Sequence, residues 1–538
     1  MSTDSTRSES PGLDGLPTAF QSEDQLVIAL DFGTTFSGVA YAFANGPKPD
    51  VISIMDWPGL EGFQQPKVPT LICYDANEPG GFTWGGQKHK TDVVQGVKLL
   101  LDPDQPRPVY LPESTARSDL RRLAKPAIEA AKLAGIHPVT LIKEPEAAAM
   151  YTLHKMQDKA LAVGDAFVIC DAGGGTVDLI SYEITQLFPR LELKELVPGK
   201  GGMAGSLGLN KRFEEAVKNL VGEEQFFHLR KSRGFTLAVQ QFDRSVKTAF
   251  RGDLYEDYYV NFPMARLNDD PDRNLIANCW NMKGCDVKAI FDPLIQDIER
   301  LVDEQVNLVT MKRVADGHPK ADQIKAIFLV GGFGSSQYLK SCLEKDHLEI
   351  QVIQPHGAWG AIAKGAVLSQ LPQEALIVSN QATRHYGVEA TSLFEERTDK
   401  GQMKHFDKST GKYRVARMTW YIHRGEDLLR EQTIKFPFFR SLEDGFLDRR
   451  LIFRSELIQS ECKTAPIYPS PSSTTINCVL TADLRSVDRS HFKKRIGVDG
   501  VTYVDVHFDL VITIKPAVMK FSLEINGKEM GTVNAKYD

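Results

Sequence analysis

Asp171-Ala172-Gly173-Gly174-Gly175-Thr176-Val177-Asp178 follows the apolar run Ala166–Cys170 and precedes Leu179–Tyr182, so it reads as strand, glycine turn, strand. Three consecutive glycines let the backbone take positive φ and turn bare N–H groups inward, while an Asp at each end and a Thr supply oxygens. Such a turn suits a polyphosphate carrying a magnesium ion. A glycine turn between strands is usually only a hairpin, and this one gains meaning from a second. Leu26-Val-Ile-Ala-Leu-Asp31-Phe-Gly33-Thr34-Thr35-Phe-Ser37-Gly-Val39 repeats the build: apolar strand, Asp at its end, Gly two residues on, hydroxyl side chains, second strand. Aligning Asp31 with Asp171 also aligns Gly33 with Gly173, two related hairpins 140 residues apart.

A chain of 538 residues has room for two to four domains. With 42% hydrophobic and 25% charged residues its composition is that of an ordinary globular protein, and a net charge of −6 gives no reason to expect nucleic acid or an acidic membrane as partner. The seven cysteines are odd in number and scattered, with no second pair at zinc-finger spacing beside Cys279 and Cys285, which favours a reducing compartment over metal ligation. Residues 1–23 are rich in Ser, Asp, Gly and Pro and read as a disordered segment, neither signal nor anchor. No run approaches the ~20 apolar residues of a membrane span, so a cytoplasmic or nuclear location is expected.

Outward from the hairpins, Val51–Ile54 and Val68–Tyr74 read as strands with a turn marked by Pro66 and Pro69. Lys98 precedes a short apolar run, in most proteins a solvated flank. Ser118–Gly135 has helical spacing interrupted by Pro126, Val139–Ile142 reads as a short strand, and Lys143-Glu144-Pro145-Glu146-Ala-Ala-Ala opens a helix. Glu144 there is either a partner of the helix dipole or a carboxylate holding a water or ion near phosphate. Gly201–Asn210 leads into a helix from Lys211, with Gly205 and Ser206 either a plain turn or donors to a phosphate or ribose. Phe242–Phe250 is helical and bears Lys247; residues 294–313 form an amphipathic helix; Ile324–Val330, Gly331-Gly332-Phe333-Gly334 and Tyr338–Leu343 form strand, glycine turn and helix. From about residue 380 the texture becomes β: Val504, Val506, Phe508, Leu510, Ile512 and Ile514 alternate with polar residues, as do Ile476, Cys478 and Leu480, and Phe521, Leu523 and Ile525 run into the hairpin turn Asn526-Gly527.

Taken in order, Asp-Phe-Gly-Thr-Thr, Lys98, Glu-Pro-Glu-Ala-Ala-Ala, Asp-Ala-Gly-Gly-Gly-Thr-Val-Asp and Val-Gly-Gly-Phe-Gly resemble the nucleotide-binding domain of the 70-kilodalton heat-shock protein family, and most of all its divergent, chaperone-related members common in fungi, within the actin-like ATPase superfamily. The resemblance covers roughly residues 25–370. It implies an α/β fold of two lobes of RNase H-like architecture closing over MgATP, followed by a mainly β C-terminal domain. The segments would be lobe I at 24–182, lobe II with its return helix at 183–371, and the β-rich domain at 380–538. By position, Gly33, Thr34 and Thr35 would meet the β- and γ-phosphates, and Gly173, Gly174, Gly175 and Thr176 would face them. Asp31 and Asp171 would hold hydrated magnesium. Lys98 would neutralise the γ-phosphate, Glu144 would order the metal shell and lytic water, and Asp178 would orient the hairpin or accept a proton. Gly205, Ser206, Lys247, Gly331, Gly332 and Phe333 would line the adenosine side. Three departures stand out. Only 13 residues lie between Lys98 and Pro112, where the family places several dozen; either Val109–Pro112 is the remnant of a core strand or coding sequence is missing here. The adenine-side turn has Phe333 in place of a stacking Arg. After Leu368 the acidic linker, helical lid and acidic tail of the cytosolic chaperones are missing. The expected function is slow ATP hydrolysis coupled to lobe closure and to an unidentified protein client. The alternatives are nucleotide-gated interaction without effective hydrolysis and, from the same superfamily, small-molecule phosphorylation.

Overall fold

The computed structural model describes residues 25–44, 49–75, 78, 81–87, 93–100, 131–136, 138–156, 161–188, 190–371, 376–515 and 518–535. Its centre is an eight-stranded sheet. In spatial order the strands are Gln351–Ile353, Ile324–Val330, Ala166–Ala172, Val177–Gln186, Glu192–Glu195, Leu376–Gln381 and Asp427–Leu429, with Lys200–Gly202 on the inner end of Val177–Gln186. Three consecutive strands from Ala166 to Glu195 are antiparallel, and Ile324–Val330 and Gln351–Ile353 then join in parallel beyond Ala166–Ala172. Every residue of Ala166–Ala172 is buried, as a strand covered on both faces must be. One face packs on Phe213, Phe242, Phe291 and Ile298 of the helical layer. The other packs on Ala147–Tyr151 and Ile362, from the helices Glu144–Lys155 and Ala361–Leu368.

A smaller sheet repeats the antiparallel half: Leu26–Phe32 pairs with Phe36–Phe43, which pairs with Ile52–Ser53 and Lys67–Pro69. Among the described residues it has no parallel extension. Among the described residues Leu26–Phe32 is its edge, and there Leu26, Ile28 and Leu30 are 49%, 63% and 61% exposed. Val139–Ile142, expected as a strand, is irregular backbone. A β-branched run becomes a strand only where a ladder partner accepts it, and none reaches it among the described residues. The span expected as Val68–Tyr74 divides between two sheets, because Leu71–Tyr74 turns away to pair with Phe82–Trp84 and Val94–Gln95. The Ser118–Gly135 helix falls largely outside the described residues, as do Val109–Pro112 and residues 1–23; residues 131–133 are helical and Gly135 stops them at φ +76°.

The amphipathic helix is longer than its stripe suggests, Gly284–Ala315 with Pro293 inside, and its last turn buries Arg313. That guanidinium donates to Gly164 O at 2.7 Å and Gln323 O at 2.7 Å and lies 3.1 Å from Glu183, fixing the helix to the start of the central strand. From Leu376 to Ala535 the described residues contain strands and short 3₁₀ turns but no α-helix. Two five-stranded antiparallel sheets face each other across Phe453, Leu457 and Leu480 on one side and Val506, Phe508, Ile512 and Phe521 on the other. Asn526 and Gly527 both have positive φ, 51° and 77°, as a tight hairpin turn of this kind requires. The expected alternation at Ile476, Cys478 and Leu480 breaks: the strand itself bulges at Asn477, opposite the step from Leu457 to Ile458, leaving Ile476 exposed and Asn477 buried.

Candidate functional site

The two glycine hairpins close on each other. A Cβ on Gly174 would fall 2.2 Å from Thr35 Oγ1, and one on Gly175 would fall 3.2 Å from Thr34 Cγ2, so glycine is what permits the approach. Beside this contact lies a cavity of about 340 Å³, the size of a small-molecule site. It is lined by Asp31, Gly33, Thr34, Thr35, Lys98, Glu144, Asp171, Gly173, Gly174, Gly175, Thr176, Asp178, Ser206, Lys247, Gly331, Gly332 and Phe333. Gly205 is the one expected residue outside that lining. It packs behind the hairpin, where its Cβ would meet Gly175 C at 2.4 Å, while Ser206 and Leu207 donate their N–H groups to Gly173 O at 3.1 Å and Gly174 O at 2.9 Å. The loop therefore braces the glycine turn with the donors that sequence reading had offered to a ligand.

Register places the acids. Asp171 and Asp178 are direct cross-strand partners at the mouth of their hairpin, and Asp31 is opposite Gly38 in the other. Gly331, at φ +83°, lets the neighbouring strand end pass Asp171, since a Cβ there would lie 2.3 Å from Asp171 Oδ1. Burial pushes the Asp171 carboxyl up to about 8, with the charges of Glu144 and Asp178 adding to it and Lys67 opposing it. Burial also raises Asp178, against the hydrogen bond that Thr176 Oγ1 donates to its Oδ2 at 2.9 Å. Lys98, on the 3₁₀ turn Val97–Leu100, reaches the cavity and is ion-paired with Glu144, the first residue of its helix. Burial works against that ammonium, yet Glu144 leaves its pKa raised overall.

At the far end, Phe242–Val246 is a π-helical turn, the one-residue insertion often found at functional sites. It sets Asp243 Oδ1 2.7 Å from Lys247 Nζ, which also donates to Ser206 O and Asn210 Oδ1, each at 3.1 Å. Burial lowers the Lys247 pKa against the pull of Asp243. Phe333, expected to offer a stacking surface, is only 5% exposed and packs on Phe291 with ring centroids 6.2 Å apart; it is a core residue whose edge reaches the cavity. The lining also includes Phe36, Lys67, Asp243, Thr248, Ser335, Ser336 and Trp359, none of which sequence reading had assigned to the site. Trp359 meets Phe36 edge to face at 5.3 Å. Lys67 sits in a Pro-Lys-Val-Pro step that reads as a turn, and only its pairing with Gly38 brings it to the first hairpin.

The donor set is one of oxygens alone, which matches a hard divalent cation such as magnesium. Asp171 fits best, being buried among like charges with too little positive charge nearby. Among the described residues no three His, Cys, Asp or Glu side chains converge into a closed cage, so the match is to a cation held partly through water and ligand oxygens.

Residues 163–311, which hold the central hairpin, the bracing loop and the π-turn, match the family model of a domain of unknown function, DUF8340. Over 260 residues the chain is 26% identical to heat shock 70 kDa protein 12B of Homo sapiens, covering 44% of this chain and 35% of that protein. The chain is similar to 70-kDa heat-shock proteins. Heat shock 70 kDa protein 12A of Homo sapiens and of Mus musculus are each 28% identical over 257 residues, 44% of this chain and 36% of theirs. The similarity thus spans about a third of the length of these relatives. The likeness to heat shock 70 kDa proteins is a distant one. Among the described residues no helix is long and apolar enough to cross a membrane.

Proposed function

We propose that this chain is a heat-shock-70-like ATP-binding protein of two lobes that hydrolyses ATP slowly and conveys its nucleotide state to the β-rich region beyond residue 376. The observation that carries the reading is the contact of the two glycine hairpins beside a cavity lined by five carboxylates and the ammonium groups of Lys67, Lys98 and Lys247. Gly33–Thr35 and Gly173–Thr176 face the β- and γ-phosphates from opposite sides, with the N–H of Gly173 held by Thr176 O at 2.9 Å. Asp171 and Asp31 would hold magnesium, which would supply charge neutralisation along the polyphosphate. Asp178, oriented by Thr176, fixes the hairpin and accepts a proton from the attacking water; Glu144 orders that water. Ser206, Lys247, Gly331 and Gly332 receive the adenosine, with Asp243 and Thr248 beside them. Such chemistry requires mainly positioning and charge stabilisation, so no covalent intermediate is needed. Phosphate release from MgATP by the wild type and by Asp171→Asn tests it, and equal rates would remove the hydrolytic assignment.

One observation favours a second reading, nucleotide binding without effective hydrolysis. Lys98, the lysine offered to the γ-phosphate, is engaged with Glu144, the carboxylate offered to the lytic water. Tight ATP binding with no phosphate released in a single turnover would select this reading.

A further inference from the structure

Lys67 is one of three lysines that line the cavity, and among the described residues its ammonium has one ion-pair partner. Its Nζ lies 2.6 Å from Asp31 Oδ2, with side-chain exposures of 9% and 3%. The contact is one of charge more than direction, since Oδ2 accepts no aligned hydrogen bond. The backbone that carries Lys67 is fixed to the first hairpin. Gly38 pairs with Lys67 and Phe36 with Pro69, Thr70 N–H donates to Thr35 O at 2.8 Å, and Thr70 Oγ1 donates to Gly33 O at 2.9 Å. The aliphatic stem crosses Gly38 so closely that a Cβ there would touch Lys67 Cγ at 3.0 Å. The stem is therefore set, and only the ammonium end has room to exchange partners, in a cavity that also opens onto Thr34 and Thr35.

We propose that Lys67 guards the divalent-metal position: it neutralises Asp31 while the cavity is empty and moves to the phosphates when a metal–nucleotide complex arrives, freeing Asp31 for the metal shell. This rests on the ATP-binding reading above. A buried carboxylate keeps one cation at a time at such distances, because two positive charges so close repel strongly where water is scarce. The ammonium and a bare divalent ion thus compete for Asp31. A nucleotide relieves the competition, because its phosphates accept the displaced ammonium. The metal then binds well only together with nucleotide. No bond is made or broken; one ion pair replaces another.

The test uses Mn²⁺ as the metal, followed by electron paramagnetic resonance, and ATP binding followed calorimetrically, on the full chain. In the wild type Mn²⁺ alone should bind at least about tenfold more weakly than Mn²⁺ with ATP. Lys67→Met should bind Mn²⁺ alone at least about tenfold more tightly than the wild type and should bind ATP more weakly. The opposite signs on one substitution are the signature, since a general loss of structure weakens both. Lys67→Gln, which keeps a polar end on a shorter stem, serves if Lys67→Met loses the native circular-dichroism spectrum, and Lys67→Arg should preserve the wild-type pattern. Mn²⁺ affinity unchanged or weakened in the folded neutral variants, while wild type binds ATP, overturns the guard and leaves the nucleotide reading standing. Failure of the wild type to bind ATP with or without metal overturns that reading, and the guard with it.

Discussion

Asp171 shows how a single carboxyl sets activity against stability. Its pKa of about 8 in the folded protein lies above the ordinary 3.8, because burial and the neighbouring acids disfavour its charge. The folded, empty protein therefore binds that proton more tightly than the unfolded chain does, and stability is lost progressively as pH rises from about 4 towards 8. Asn is neutral at every pH and nearly the same shape. At pH 8 Asp171→Asn should raise the melting temperature of the nucleotide-free protein by roughly 2–4 °C, while lowering MgATP turnover to background. Melting curves at pH 5 and 8 check it: the gain should shrink at pH 5, and a variant that melts below the wild type at pH 8 would show that the carboxylate is better solvated than its burial indicates.

The helix opened by Glu144-Pro145-Glu146 owes its place to small residues. Gly365, in the facing helix Ala361–Leu368, lies so close to the Ala147 carbonyl that a Cβ would fall 1.7 Å from its oxygen, and backbone cannot yield as a side-chain tip would. Gly365→Ala should cost about 1–3 kcal/mol of stability through forced separation of the pair. It should also weaken ATP binding, because Glu144 and its partner Lys98 move with the helix; denaturant midpoint and Kd measured together would contradict this if only the first changed. The Ala-Ala-Ala run was visible in the sequence, and its reason, a helix crossing at backbone distance, was not. The same divide runs through the site. Both glycine hairpins were legible because turn chemistry is local: glycines for the approach, acids at strand ends, hydroxyls between. Lys67 was not, since it reaches Asp31 through a strand register that pairs it with Gly38, 29 residues earlier. A Gly-Phe-Gly turn gives no sign of which way the ring of Phe333 points, and here Phe333 both lines the cavity and packs on Phe291. Val139–Ile142 had the composition of a strand and, among the described residues, no partner to make it one.

Across the whole molecule, one sheet runs from the central glycine hairpin into the β-rich region. Val177–Gln186 pairs with Glu192–Glu195, that strand pairs with Leu376–Gln381, and Asp427–Leu429 closes the edge. The seam is acidic and buried. Gln381 N–H donates to Glu195 Oε2 at 3.0 Å, and Arg430 Nη1 lies 3.4 Å from Glu146, two residues along the helix from Glu144 in the cavity. Burial lifts Glu195 to about 7, partly offset by the Gln381 N–H, and Glu146 to about 6 against Arg430 and Lys143. Both values exceed the ordinary 4.5, so the docked state takes up protons between about pH 4.5 and 7 and docking weakens as pH rises through that window. Amide exchange at Leu376–Gln381 should accordingly quicken from pH 5 to 7.5 after correction for the intrinsic rate, and Glu195→Gln should flatten the dependence; a parallel rise in the variant would place the cause elsewhere. The same seam is the physical route by which nucleotide can reach the β-rich region, since Glu144 and Glu146 share one turn of one helix and respond together to any shift of it. Adding ATP should change exchange at Leu376–Gln381 and Asp427–Leu429, and Arg430→Ala, which uncouples Glu146 from the strand edge, should reduce that change while ATP still binds. Identical exchange in both segments with and without bound ATP would mean that the continuous sheet is a scaffold and carries no signal.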